Sequence, residues 1–267
     1  MPHVLITGGS SGIGKEIAKL HAARGDTVSI LARRSDVLND AVCEIDQERR
    51  GKMGQTLGFE CDVSRPEIVT SVIGEILQRC GLPDRIVLSA GIAEPGYFED
   101  LDLQNFRNHM EINYFGIIHV IRETVPAMKK RQSGQIVLIS SAAGLIGLFG
   151  YSSYAPTKFA LRGLAEALRW ELKRDRIGIT VVYPPDTVTP QLEAENATKP
   201  VETKQMTSAA KLWSAEAIAQ LSVKGADRNR FAVTPGIQVW LLYHLSSVIV
   251  PFVQLRFWNI VRKRPGQ

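Results

Sequence analysis

The sequence has few cysteines, and they follow no pattern. Cys43, Cys61 and Cys80 are odd in number and form no C-x-x-C pair, which argues against a disulfide framework and against a zinc site. We therefore expect no metal centre, and we expect a reducing compartment, which favours the cytoplasm.

The first residues of the sequence do not show a charged region followed by an apolar one. Only Met1, Pro2 and His3 precede the apolar run at residues 4–6, so we expect no N-terminal targeting or anchor segment. The sequence also has no basic helix with interleaved aromatic side chains and no zinc-finger spacing. Nothing therefore indicates nucleic acid as a partner.

Acidic residues are absent from residues 231–267, and residues 231–255 carry no charged side chain. Roughly 20 apolar residues can span a bilayer, but Gln238, His244 and Pro251 disfavour a clean spanning helix. Aromatic side chains followed by the basic residues Arg262, Lys263 and Arg264 suit an anionic membrane surface, which predicts peripheral binding at the cytoplasmic face. A segment that guides the substrate and a helix that joins two copies into a homo-oligomer are the alternatives.

The remaining chain alternates strand-like and helical patterns. Its length of 267 residues suits one α/β domain. Apolar runs predict strands at residues 3–7, 27–31, 55–61, 85–88, 135–139, 178–182 and 231–233, and helical periodicity predicts helices at 35–50, 103–130 and 154–173. Ser64 and Ser214 are predicted helix caps. This alternation predicts a single Rossmann-like, doubly wound parallel sheet with helices on both faces, followed by an apolar C-terminal extension.

A glycine-rich turn follows the first strand. Glycine lets the backbone approach a phosphate closely, and the positive end of the next helix favours its negative charge. The turn therefore predicts a dinucleotide pyrophosphate site, with an ordinary tight turn as the alternative. The residues concerned are Gly8, Ser10, Ser11, Gly12, Ile13 and Gly14.

Other strand ends carry further candidates for cofactor binding. Ala32 and Arg33 stand at the end of the second strand, where an acidic residue would favour NAD and an arginine accommodates the 2′-phosphate of NADP. A solvated basic pair is the alternative. Asp62 and Val63 follow the third strand, and Asp62 is either an adenine ligand or a turn-former. Ala90 and Gly91 follow the fourth, where small residues allow a ribose to approach.

A tyrosine and a lysine stand four residues apart at the start of a predicted helix. Tyr154 and Lys158 share one helix face, so a phenol and an ammonium can converge on one bound molecule. A solvated helix face is the alternative. Asn113 is a polar amide between apolar neighbours, which predicts either a bond to backbone that kinks the helix or a place in a polar relay.

Taken in order, these residues resemble the short-chain dehydrogenase/reductase family over almost the whole chain. The resemblance implies reduction of a carbonyl with NADP(H), in which Tyr154 is the general acid and Lys158 holds the nicotinamide ribose and lowers the pKa of the phenol. It implies that Ser141 donates to the substrate carbonyl and that Asn113 holds a water. Thr187 and Thr189 would border the nicotinamide amide and the pyrophosphate, and Pro184 would also contact the cofactor. The motifs that carry it are Thr7-Gly8-x3-Gly12-Ile13-Gly14, Asp62, Ala90-Gly91, Asn113, Ser141, Tyr154, Lys158 and Pro184.

Within the family, the chain resembles the branch that reduces long-chain 3-keto sphingoid bases with NADPH. The resemblance rests on residues 147–150, 158–168, 183–187 and 195–200, with Pro184-Pro185 where the wider family usually has Pro-Gly. It implies a long-chain lipid substrate. Another lipophilic carbonyl (a 3-oxoacyl thioester, a retinoid or a steroid) and an NADP-binding regulatory protein without turnover are the alternatives.

These predictions divide the chain into two parts. Residues 1–234 form the catalytic domain, in which the polar, weakly periodic residues 187–210 are a mobile lid near the substrate or a surface loop. Residues 235–267 form an apolar and basic segment that contacts a membrane, the substrate or a partner subunit.

Overall fold

A computed structural model of the chain describes residues 1–208 and 211–262. Its centre is a parallel sheet in the order β3-β2-β1-β4-β5-β6-β9. The strands are β1 (His3–Thr7), β2 (Thr27–Ala32), β3 (Thr56–Glu60), β4 (Arg85–Leu88), β5 (Gly134–Ile139), β6 (Ile177–Val182) and β9 (Ala232–Val233). A separate parallel pair joins β7 (Thr187–Val188) to β8 (Trp213–Ser214).

Helices cover both faces of the seven-stranded sheet. They are α1 (Gly12–Arg24), α2 (Ser35–Gln47), α3 (Pro66–Cys80), α4 (Leu103–Met110), α5 (Gly116–Arg131), α6 (Ala155–Glu171), α7 (Pro190–Thr198), α8 (Val201–Thr207), α9 (Ala215–Asp227), α10 (Gly236–His244) and α11 (Ser246–Arg262). One core cluster joins apolar side chains of α1, α2 and α9 to one sheet face, and a second joins α3, α5 and α6 to the other. The predicted doubly wound architecture is confirmed.

Burial on both faces explains the sequence of the strands. All five residues of β1 are buried, as expected for a parallel strand covered by helices on both sides. Leu5 packs in one core cluster, and Val4 and Ile6 pack in the other. Because β1 lies between β2 and β4, the strand order reverses beside it, and such a switch point opens a ligand crevice at the carboxyl ends of the strands.

The long helix predicted at residues 103–130 contains a wide turn. One turn of π-helix, Glu111–Phe115, separates α4 from α5, and such turns are frequent at functional sites. Asn113 lies within this turn and is fully buried.

One predicted cap is confirmed and one is wrong. The hydroxyl of Ser214 accepts a hydrogen bond from the N–H of Ala217 (3.1 Å) and caps α9. Ser64 does not cap α3, because that helix begins only at Pro66 and the hydroxyl of Ser64 donates to Asp62 instead (2.7 Å).

The residues that follow β6 are more regular than the sequence predicts. Weak periodicity predicted a lid or a surface loop without helices in residues 187–210, but the structure has the two helices α7 and α8 there. Thr189 caps α7 by accepting from the N–H of Leu192 (3.2 Å), and Leu192 and Glu195 are buried. The hydroxyl of Thr203 in α8 donates to the carbonyl of Phe149 (2.8 Å). The Thr189 cap, the buried face of α7 and the hydrogen bond from Thr203 to Phe149 stabilise these two helices, which the weak periodicity of the sequence did not predict.

Two helices joined at a sharp bend form the described part of the C-terminal segment. In residues 1–208 and 211–262, no single helix is long and apolar enough to cross a membrane, and α10 with α11 meets that criterion only as a pair bent by 118°. Val239 of α10 is buried in the core, whereas no residue of α11, a helix described throughout, is buried. Lys263 and Arg264 lie outside the described residues.

Candidate active site

A cleft of about 550 Å³ opens at the carboxyl ends of the strands. It gathers predicted residues from seven separate stretches of the chain. Two predicted residues, Gly14 and Asn113, lie outside its lining, and they pack against the lining residues Gly8 and Gly91 respectively. The predicted residues that line the cleft are Gly8, Ser10, Ser11, Gly12, Ile13, Arg33, Asp62, Val63, Ala90, Gly91, Ser141, Tyr154, Lys158, Pro184, Thr187 and Thr189.

The glycine turn packs directly against the loop after β4. Gly8 has φ +66°, and a Cβ there would lie 2.8 Å from the backbone nitrogen of Ala90. A Cβ on Gly14 would overlap the carbonyl oxygen of Gly8. The hydroxyl of Thr7 accepts hydrogen bonds from the N–H groups of Ser89 (3.1 Å) and Ala90 (3.2 Å). Backbone packing therefore requires glycine at both positions, and Gly8, which lines the cleft, places no side chain in it.

Two predicted cofactor ligands lie at the ends of β2 and β3. Arg33 is exposed, and its guanidinium forms no ion pair with any residue in the described part of the chain. One oxygen of Asp62 accepts from the N–H (3.0 Å) and the hydroxyl (2.7 Å) of Ser64. The turn-forming role of Asp62 is thus confirmed, and its contact with adenine stays a prediction.

Tyr154 and Lys158 converge as predicted, although only the lysine lies inside the helix. Tyr154 is the residue immediately before α6, with backbone angles in the helical region. The Nζ atom of Lys158 lies 5.5 Å from the centre of the phenol ring and donates to the carbonyl of Ile139 (3.2 Å). The two side chains are 7% and 5% exposed, which rules out the alternative of a solvated helix face.

Asn113 links three parts of the site. Its Oδ1 accepts from the N–H of Ile92 (2.8 Å), and its Nδ2 donates to the carbonyl of Ile92 (3.0 Å) and to the hydroxyl of Thr157 (3.2 Å). Thr157 in turn donates to the carbonyl of Tyr154 (2.7 Å). Asn113 thus holds the loop after β4 against the start of α6, and its role in holding a water stays a prediction.

Burial sets the protonation behaviour of the pair. Burial raises the pKa of the Tyr154 phenol, and the negative charge of Glu195 raises it further, whereas hydrogen bonds with Ser141 and Gln191 lower it. Burial lowers the pKa of the Lys158 ammonium to about 8, and the charge of Glu195 opposes that shift. We expected a neighbouring ammonium to lower the pKa of the phenol; the net direction is the opposite, because desolvation of the phenolate dominates.

Three residues of the cleft, Tyr151, Gln191 and Glu195, were not predicted from the sequence as site residues. Tyr151 donates from its phenol to Oε2 of Glu195 (2.8 Å), and the side-chain amide of Gln191 donates to Oε1 of Glu195 (2.9 Å). The rings of Tyr151 and Tyr154 lie 5.6 Å apart. Residues 195–200 carried part of the resemblance to the sphingoid-base branch, but the weak periodicity around Glu195 does not predict that its carboxylate is buried in the cleft.

His109 was also missed, and it supports the tyrosine. Its ring is fully buried and lies 6.3 Å from the ring of Tyr154, edge to face. Nδ1 donates to the carbonyl of Asn105 (2.8 Å), which leaves Nε2 to accept from the N–H of Glu94 (3.1 Å). Burial lowers the pKa of His109, so the imidazole is neutral and acts as a fixed bridge between α4 and the wall of the cleft.

Comparison with known proteins agrees with this geometry. A sequence model of the short chain dehydrogenase family matches residues 2–200. The chain belongs to the short chain dehydrogenase family. As a member of that family it is an oxidoreductase, and its glycine turn and Tyr154–Lys158 pair line one cleft at the carboxyl ends of the strands.

Named relatives within the family share much of this sequence. The chain is 39% identical over 254 residues to a 3-dehydrosphinganine reductase of Danio rerio and to a 3-ketodihydrosphingosine reductase of Bos taurus. Each match covers 95% of this chain and 76% of the relative. Among solved structures, ElxO with NADP bound is 25% identical and has a TM-score of 0.74, with 87% of this chain and 96% of that chain covered.

Proposed function

We propose that this chain reduces 3-ketodihydrosphingosine to dihydrosphingosine with NADPH. The observation that carries the proposal is the convergence of Tyr154, Lys158 and Ser141 in one cleft of a chain 39% identical to reductases named for this substrate. A binding protein without turnover has no need for a buried phenol beside a buried ammonium.

The cleft suits NADP(H). Glycine at positions 8 and 14 allows the backbone of the turn to pack closely, and the start of α1 offers N–H groups and a positive dipole end to a pyrophosphate. Arg33, unpaired within residues 1–208 and 211–262, suits a 2′-phosphate better than a free 2′-hydroxyl. The similar fold of ElxO with NADP bound supports the same cofactor.

Each catalytic side chain has a task that follows from its chemistry. NADPH, when bound, supplies the hydride. Tyr154 donates the proton to the carbonyl oxygen, and the hydroxyl of Ser141 stabilises the negative charge that develops there. The ammonium of Lys158, whose pKa is about 8, stabilises the resulting phenolate of Tyr154. It then donates a proton to that phenolate, which restores the phenol. Asn113 fixes the loop and the helix that carry these groups.

A comparison of substrates tests this function. We expect the purified protein to oxidise NADPH with 3-ketodihydrosphingosine and to prefer it to a 3-oxoacyl thioester of equal chain length, measured as kcat/KM. A preference for the thioester would show that the chain reduces another class of lipid. The absence of turnover with either ketone, with NADPH binding intact, would favour a regulatory binding protein.

We also propose that the C-terminal segment binds an anionic membrane surface, from which a long-chain substrate can enter. Several apolar side chains of α11 are largely exposed: Val248 58%, Phe252 71%, Leu255 60% and Trp258 62%. Arg256 and Arg262 lie on the same helix, and basic residues beside aromatic ones favour the headgroup region. Exposing each methylene of the substrate to water costs about 0.8 kcal/mol. Transfer directly from a membrane to the cleft avoids that cost.

Removal of residues 235–267 is a poor test of this surface, because it also removes the buried Val239. A better variant is the double change Phe252→Ser and Trp258→Ser, with Trp170→Ser, an exposed tryptophan of α6, as the control. We expect the double variant no longer to sediment with vesicles of phosphatidylserine and phosphatidylcholine, and we expect the Trp170→Ser control to sediment with them as the unaltered protein does. Unchanged sedimentation would contradict the membrane proposal, and a loss of dimers in ultracentrifugation would assign the helix to a homo-oligomer instead.

A further inference from the structure

Glu195 is a carboxylate in the wall of the cleft, and the proposed proton transfer does not use it. It lies on α7 and is 7% exposed. Both it and Tyr154 line the same cleft. A carboxylate this deeply buried costs several kcal/mol unless it is paired, so its presence calls for a partner.

The described residues orient this carboxylate but only partly neutralise it. Tyr151 and Gln191 each donate one neutral hydrogen bond to it, at 2.8 and 2.9 Å. The cation within 4 Å of it is Lys199, whose Nζ lies 3.8 Å from Glu195 and 3.7 Å from Asp186, while the more distant Lys158 also feels its charge. One ammonium is thus shared by two carboxylates at distances longer than hydrogen bonds.

This charge opposes the proposed reaction unless something offsets it. Reduction leaves Tyr154 as a phenolate, and the negative charge of Glu195 raises the pKa of that phenol, so it disfavours the product of proton transfer. A cation placed between the carboxylate and the reacting carbonyl would remove the penalty. The long-chain ketone proposed above carries such a cation, since its amine is bonded to the carbon next to the carbonyl carbon.

We propose that Glu195 binds the ammonium group of the substrate and thereby selects 2-amino ketones over neutral ketones. This inference rests on the proposed function and deepens it. Tyr151 and Gln191 hold the carboxylate in place, and the Tyr151 ring, 5.6 Å from that of Tyr154, sets the separation between the amine site and the proton donor. A neutral ketone leaves the carboxylate uncompensated beside the phenol and is reduced more slowly.

The test compares two substrates on matched variants. The substrates are 3-ketodihydrosphingosine and 1-hydroxyoctadecan-3-one, which differ only by the amine. We expect Glu195→Gln, which keeps the shape of the side chain, to lower kcat/KM for 3-ketodihydrosphingosine by about 10- to 100-fold. The same change should maintain or raise kcat/KM for the ketone without the amine. Glu193→Gln, the same charge change on the exposed face of α7, should leave both values unchanged.

Each other outcome has a definite meaning. Equal losses on both substrates would assign Glu195 a purely structural role and overturn the inference, while the proposed function would stand. Failure of the unaltered protein to reduce 3-ketodihydrosphingosine would instead overturn the proposed function. If Glu195→Gln does not fold, as judged by NADPH binding, the test uses the unaltered protein alone. We expect its kcat/KM for 3-ketodihydrosphingosine to exceed that for 1-hydroxyoctadecan-3-one by about tenfold or more. Equal kcat/KM values for the two substrates would refute the inference.

Discussion

Replacement of Lys158 by methionine should abolish reduction and yet make the protein more stable. The ammonium is 5% exposed, and burial lowers its pKa from 10.5 to about 8. Each unit of pKa shift corresponds to 1.36 kcal/mol, so the buried charge costs about 3 kcal/mol at neutral pH. Methionine has an unbranched side chain of similar length and carries no charge.

The expected gain is smaller than this cost. The ammonium donates one hydrogen bond to the carbonyl of Ile139 (3.2 Å), and loss of a bond of this kind costs about 1 kcal/mol. The net gain is then about 2 kcal/mol, which raises the melting temperature by about 4–8 °C for a chain of this size.

The gain must also depend on pH. Below pH 8 the lysine is protonated in both the folded and the unfolded protein, so its full cost is present. Between pH 8 and 10.5 only the unfolded chain keeps the proton, so the unaltered protein gains stability as the pH rises. The advantage of Lys158→Met should therefore be largest at pH 7 and should shrink towards pH 10.

Thermal unfolding without added nucleotide, at pH 7 and pH 10, measures both effects. Lys130→Met, at an exposed lysine of α5, is the control, and we expect it to change the free energy of unfolding by less than about 0.5 kcal/mol. A variant that melts at or below the unaltered protein at pH 7, or whose advantage is the same at pH 10, would refute the reasoning.

Three further changes test other parts of the site. Tyr154→Phe should bind NADPH with unchanged affinity, by fluorescence titration, and lose nearly all reduction; full turnover would remove the phenol from the mechanism. Gly14→Ala should cost about 1–3 kcal/mol in unfolding and weaken NADPH binding because its Cβ overlaps Gly8, whereas Gly163→Ala, whose Cβ meets nothing within 4 Å, should stabilise α6 by about 0.5–1 kcal/mol. Arg33→Ala should raise KM for NADPH about tenfold and leave KM for NADH unchanged; equal effects on both would contradict a contact with the 2′-phosphate.

The sheet was predictable because its signals are local. Each buried strand is a short run of largely apolar residues. Glycine or serine directly follows β1, β4 and β5, and parallel order places the ends of all these strands on one edge. The site residues at these strand ends were therefore predicted together with the fold.

The residues that were missed depend on tertiary contacts. Glu195 is buried in contact with Tyr151, Gln191 and Lys199, and no periodicity within α7 indicates this. His109 resembles an ordinary polar helix residue until the helix is seen to pass beside the cleft. The direction of the pKa shift of Tyr154 likewise depends on burial, which the spacing to Lys158 does not reveal.

The π turn between α4 and α5 also has an evolutionary consequence. Buried side chains recur there at His109, Asn113, Ile117 and Ile121, a repeat of four residues. In a regular α-helix each such step would advance the side chain by about 40°, and three steps would turn it away from the sheet. The wide turn compensates for this rotation as one inserted residue would. Relatives with one residue more or fewer at 111–115 should therefore keep helices equivalent to α4 and α5. In them, a residue at a different position should take the place of Asn113 opposite Ile92.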